Sequence, residues 1–188
     1  MINIIPIIPK LSETEMFYSQ YEPEVDLYPG IGTRPVIVLS GSKTDADLVM
    51  KGLKKLEDAK ISYEYHILSA HRNVRDLGPL IKEIMEAGQT YVIQCYAGKL
   101  AALFGAVEAE ILQNRDGKRI EPYVFAIPVE GDNPIDTTAA ILSHTQLPKD
   151  VAVHGFGPGL HGALNANFAT IRVVQNAYRM IQAARAGR

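Results

Sequence analysis

From residue 35 onward, short apolar runs alternate with segments of helical periodicity, and this rhythm restricts the fold more than any other feature. Pro35–Ser40, Ser62–Leu68, Thr90–Cys95, Pro122–Pro128 and Val151–His154 read as strands. Thr44–Ala59 reads as a helix with Leu48, Val49, Leu53 and Leu56 on one face. Val74–Ala87 follows the same pattern through Leu77, Leu80, Ile81 and Ile84, and Gly88 marks its stop. Leu100–Gln113, Ile135–Ser143 and a long closing segment, Leu160–Ala184, complete the helices. Strands joined in this way form a parallel sheet through right-handed crossovers, with helices covering both faces.

The segment before this rhythm, residues 1–33, is rich in Pro, Tyr and Glu and carries a weak helical pattern near Glu13–Gln20. It reads as an N-terminal extension or arm that packs on the domain or on a neighbouring subunit. It ends in the loop signal Pro29-Gly30-Ile31-Gly32. Residues 34–188 then read as one α/β domain. Met1–Pro9 is apolar but has no basic start and two prolines, a poor signal peptide. No apolar run approaches the length of a membrane span. The formal charge of -2 gives no bias toward nucleic acid or an anionic membrane. One cysteine, Cys95, excludes an internal disulfide and a cysteine metal cluster, and fits a reducing cytoplasm.

In an open α/β sheet, ligands bind outside the carboxyl ends of the strands. The first strand runs into Gly41-Ser42-Lys43-Thr44-Asp45 and the second into Ser69-Ala70-His71-Arg72. Ser42, Asp45, Ser69, His71 and Arg72 can therefore converge on one crevice. They supply two hydroxyls, a carboxylate, a proton carrier and a fixed cation. That set suits a small phosphorylated substrate and acid–base chemistry. Ser42 or Thr44 would equally serve as a helix N-cap, with Asp45 complementing the helix dipole.

These two motifs resemble those of the small aminoimidazole ribonucleotide carboxylase/mutase family of purine biosynthesis. Ala97-Gly98-Lys99-Leu100-Ala101-Ala102-Leu103-Phe104-Gly105 extends the likeness, as do Ile127-Pro128-Val129, Gln146-Leu147-Pro148 and Asn165-Ala166, in family order over roughly Pro35 to Ile181. The resemblance implies a three-layer α/β/α, flavodoxin-like fold with a parallel sheet of about five strands, and a homo-octamer. It implies a ribonucleotide substrate and a carboxylate moved to, or fixed on, a ring carbon, with no metal, ATP or biotin. In one class a carbamate releases carbon dioxide inside the site and the ring carbon recaptures it; in the other, free carbon dioxide is used.

The resemblance further implies a role for each matching residue. Ser42, Ser69 and Arg72 would meet the substrate phosphate, with Gly41, Thr44 and Ala70 alongside, and Asp45 would accept hydrogen bonds from the ribose. Ala97 and Gly98 let backbone approach a flat ring, and Leu103 lines it. His71 would carry the proton. Lys99 would hold the carboxylate as a point charge, or else stand as a solvated lysine in the first helical turn. The third loop lacks the further glycine and histidine of the mutase class, Lys99 and Ala102 standing there, and is closer to the carboxylase class. Ser69-Ala70-His71-Arg72 looks like the mutase class. Both classes stay open, as do a non-catalytic sugar-phosphate binder and a related carboxylase acting on another aromatic substrate. The acidic loop Val129–Pro134 and the insertion Asn114–Arg119 depart from the family pattern.

Gly157-Pro158-Gly159-Leu160-His161-Gly162 spells a dinucleotide fingerprint, but only one helix follows it, so it reads as a tight strand-to-helix turn. Cys95 reads as packed, and His154 and His161 as loop or interface residues rather than metal ligands.

Overall fold

The computed structural model describes residues 18–117 and 119–187. Six strands form one sheet: β1 (Tyr18–Tyr21), β2 (Val36–Ser40), β3 (Tyr63–Ile67), β4 (Val92–Ala97), β5 (Tyr123–Pro128) and β6 (His154–Gly155). The helices are α1 (Ala46–Asp58), α2 (Val74–Ala87), α3 (Leu103–Asn114), α4 (Pro134–Thr145) and α5 (Gly159–Ala186). The spatial order is β1-β3-β2-β4-β5-β6. From β3 to β6 every pairing is parallel, whereas β1 runs antiparallel to β3. This is the flavodoxin-like arrangement of five parallel strands, with an antiparallel edge added by the extension.

Continuous apolar runs suit strands that are covered on both sides. All five residues of β2 are buried. Ile37 and Leu39 join the core under α2 and α3, with Leu77, Ile81, Phe104 and Val107. Val36 and Val38 point the other way, into the core under α1 and α5, with Leu53, Leu56, Ala163 and Val174. Period-two alternation along the strand thus feeds two separate cores and defines three layers. One buried polar network pins α5 to the sheet. Gln94 Nε2 donates to Asn167 Oδ1 (3.2 Å) and Thr170 Oγ1 (2.8 Å), while Tyr96 Oη donates to Gln94 Oε1 (3.1 Å).

Several boundaries differ from the sequence reading. Tyr18–Gln20, the end of the weak helical stretch, lies in a strand, because the open edge of β3 offers ladder partners from Tyr63 to His66. The rest of that stretch and residues 1–17 of the arm lie outside the described residues. The first helix begins as a 3-10 turn, Lys43–Asp45, and becomes α-helical at Ala46. The third helix starts at Leu103 rather than Leu100. Lys99 adopts a left-handed backbone (φ 54°), and the Ala102 N–H turns back to the Leu100 carbonyl at 2.8 Å, so 98–102 form a loop. The last strand is the pair His154–Gly155, with the ring of His154 against Tyr123 and Phe125. The turn before α5 is as tight as expected: a Cβ on Gly162 would lie 1.5 Å from the Gly157 carbonyl oxygen.

Candidate active site

The strand order reverses between β2 and β4: the chain leaves β2 toward β3 on one side and returns to β4 on the other. Loops diverging at such a switch point leave a crevice at the carboxyl ends. A cleft of about 720 Å³ lies there. It is lined by Gly41, Ser42, Thr44 and Asp45 after β2, by Ser69, Ala70, His71 and Arg72 after β3, and by Ala97, Gly98, Lys99 and Leu103 after β4. Every residue expected at the site from the sequence therefore meets in one place.

Local hydrogen bonds shape each turn. Ser42 has an extended backbone and caps the 3-10 turn, its Oγ accepting from the Thr44 N–H at 3.3 Å. Ser42 Oγ also lies 2.8 Å from Thr44 Oγ1, whose hydroxyl donates to Asp45 Oδ1 at 3.4 Å. Asp45 is 8% exposed. Burial raises its carboxyl from 3.8 to about 6, against the opposing pull of the Thr44 hydroxyl, the Ser42 backbone and the Arg72 charge. In the second turn, Ser69 Oγ accepts from the N–H groups of His71 (3.3 Å) and Arg72 (3.4 Å). The first two turns are tied together by Arg72 Nη2, which donates to the Gly41 carbonyl at 2.9 Å. A guanidinium has five N–H donors, so one bond to Gly41 leaves most of the fork for an anion. His71 and Arg72 are exposed at the cleft.

The third turn contains the largest local departure from expectation. Lys99 is not in a first helical turn; its left-handed backbone sets it ahead of α3 on the cleft wall. The loop is braced from α4, where Ser143 Oγ accepts from the Ala101 N–H at 3.0 Å. Val129, Glu130, Gly131 and Asp132 form a fourth wall, which the sequence marks only as an acidic departure from the family pattern. The Val129 N–H extends the β4–β5 ladder to the Ala97 carbonyl (2.9 Å), which carries this wall to the cleft. No local pattern marks these residues as site residues; only the pairing of β5 with β4 does. Asp136 stays off the cleft, and its carboxylate accepts from Asn133 Nδ2 at 3.1 Å.

The cleft thus brings together the hydroxyls of Ser42 and Ser69, the guanidinium of Arg72, the exposed imidazole of His71, the ammonium of Lys99 and the buried carboxyl of Asp45, raised to about 6. Together the fold and this cleft define a three-layer α/β protein with a polar crevice at the switch point of its sheet. The AIR carboxylase family model matches residues 35–186, and the chain belongs to that family. It is 26% identical over 152 residues to the N5-carboxyaminoimidazole ribonucleotide mutase of Pyrococcus abyssi, covering 81% of this chain and 80% of that protein. The Saccharolobus solfataricus protein of the same name is 28% identical over 144 residues, covering 77% and 83%. Among solved structures, Treponema denticola PurE superposes with a TM-score of 0.58 at 21% identity, over 81% of this chain and 91% of that one. A variant of PurE2 from the same organism gives 0.61 at 22% identity, over 82% and 92%. These two structures share the fold.

Proposed function

We propose that this chain interconverts 5-aminoimidazole ribonucleotide, or its N-carboxy carbamate, with 4-carboxy-5-aminoimidazole ribonucleotide in purine biosynthesis. The observation that carries the reading is the meeting of His71 with the anion grip of Ser42, Ser69 and Arg72 in one cleft. In the mutase form, the carbamate N–C bond breaks and a proton reaches the amine nitrogen. Carbon dioxide then bonds to the ring carbon, which loses its proton. In the carboxylase form only the second half takes place. In the mutase form His71 donates a proton to the amine nitrogen and recovers one from the ring carbon, and in the carboxylase form it takes up the ring proton alone; Lys99 holds the carboxylate of the carbamate and of the ring product, carbon dioxide itself being neutral between them. Asp45 faces the ribose hydroxyls, and Gly98 lets the ring lie close to backbone. The chemistry calls for no metal, ATP or biotin. The single cysteine fits a reducing cytoplasm and the resemblance implies a homo-octamer; among the described residues no helix is long and apolar enough to cross a membrane.

The test is to incubate the purified protein with the carboxylated ribonucleotide and follow its decarboxylation by ultraviolet absorbance. Turnover is expected, with a loss of about 10²–10⁴-fold in His71→Asn. Forward assays with and without bicarbonate separate the two classes, since the mutase works from the carbamate alone. The altered third loop and the acidic wall favour two other readings enough to name their outcomes. Calorimetric binding without turnover supports a non-catalytic sugar-phosphate binder. Turnover of a different aromatic ribonucleotide supports a related carboxylase. Absence of both binding and turnover overturns the proposal.

A further inference from the structure

The first turn is supported from below the cleft by two residues that do not line it. Tyr65 on β3 and Ser40 at the end of β2 are both 0% exposed. Tyr65 Oη lies 2.8 Å from Ser40 Oγ, and Ser40 Oγ donates to the Ser42 carbonyl at 3.1 Å. Because the Ser40 proton is used on that carbonyl, the proton of the first link comes from Tyr65. Burial pushes the Tyr65 phenol up to about 12, so it remains a donor across the neutral range. The Ser42 carbonyl also accepts from the Asp45 N–H at 3.2 Å. Its peptide plane is therefore fixed from the core and from the following turn at once.

The fixed plane bears directly on the cleft. On the far side of the same residue, the Ser42 hydroxyl faces Thr44 Oγ1, and the Thr44 hydroxyl donates to Asp45. Two hydrogen-bonded series thus meet at Ser42: Tyr65 and Ser40 on its backbone carbonyl, and Thr44 and the buried Asp45 carboxyl on its side chain. Phenylalanine at 65 and alanine at 40 would keep the apolar packing; the two oxygens add direction. We propose that Tyr65 and Ser40 are positioning residues that set the Ser42 peptide plane and thereby aim its hydroxyl at the anion-binding end of the cleft. This rests on the reading of that end as a phosphate-ester grip. It assigns to two core residues an effect on substrate binding rather than on the proton-transfer step, which takes place at His71.

The experiment is steady-state decarboxylation of the carboxylated ribonucleotide by wild type, Tyr65→Phe, Ser40→Ala and the double variant. Each single change should raise KM about five- to tenfold, the range that one lost buried hydrogen bond supports, with kcat within about twofold. The double variant should be no worse than the worse single one, because both act through one relay. A merely structural role would lower the melting temperature and leave KM alone. Unchanged KM, or single effects that multiply in the double variant, would overturn the inference while an active wild type leaves the functional reading intact. If wild type binds the ribonucleotide without turnover, the functional reading fails alone, and the same ratios are read in Kd. If wild type neither binds nor turns over, both fall.

Discussion

Replacing Asp45 with asparagine should stabilise the protein at neutral pH and weaken its hold on the ligand. The carboxyl is 8% exposed, and burial raises it from 3.8 to about 6. The folded chain therefore binds this proton more tightly than the unfolded chain does. Between those values the native state carries more protons, so stability falls as pH rises from about 4 to about 6. Roughly two units at about 1.36 kcal/mol each amount to about 3 kcal/mol lost by pH 7. Asparagine removes the charge and keeps one acceptor oxygen for the Thr44 hydroxyl or the Ser42 backbone, so the gain at pH 7.5 should be about 1–3 kcal/mol. Below about pH 4 the wild-type carboxyl is itself neutral and the gain should shrink toward zero. Urea denaturation of both proteins at pH 7.5 and pH 4 measures this directly. A variant that is less stable at pH 7.5, or one whose advantage is the same at both pH values, would refute the reasoning. Calorimetry with the ribonucleotide should show about tenfold weaker binding, as expected for a lost charged acceptor.

Three further changes test the frame around the cleft. Gly162→Ala drives a Cβ into the Gly157 carbonyl, where no flexible side chain can yield; the loss should be at least about 3 kcal/mol, seen as a melting temperature lower by about 10 °C. Asn167→Leu takes partners from Gln94 and Tyr96 inside the core and should cost about 1–3 kcal/mol in urea titrations. Lys99→Gly relieves the left-handed backbone and should be about 1 kcal/mol more stable than Lys99→Ala, while both lose the ammonium and should lose decarboxylation activity equally.

Much of the site was legible because it follows from local pattern plus one topological rule. Val36–Ser40 and Tyr63–Ile67 are apolar enough to be read as buried strands, and polar residues just past such strands face the ligand crevice. What went unread depends on partners distant in sequence. Tyr18–Tyr21 has no clear strand pattern and becomes one because β3 has a free edge. Leu100–Leu103 has a helical composition, yet Ser143, 42 residues away, takes the Ala101 N–H and Lys99 turns left-handed. Glu130 and Asp132 reach the cleft through the β4–β5 ladder, and Asp45 looks like a helix-terminus carboxylate until burial changes how it titrates.

By itself the sequence determined the layered α/β architecture and the chemistry available at the strand ends, because periodicity and residue type act over a few neighbouring positions. Tertiary structure decided the order β1-β3-β2-β4-β5-β6, the left-handed Lys99 turn, the acidic fourth wall and the raised carboxyl of Asp45. Each of these comes from desolvation or a hydrogen bond between segments far apart in the chain, and no local pattern records which segments will meet.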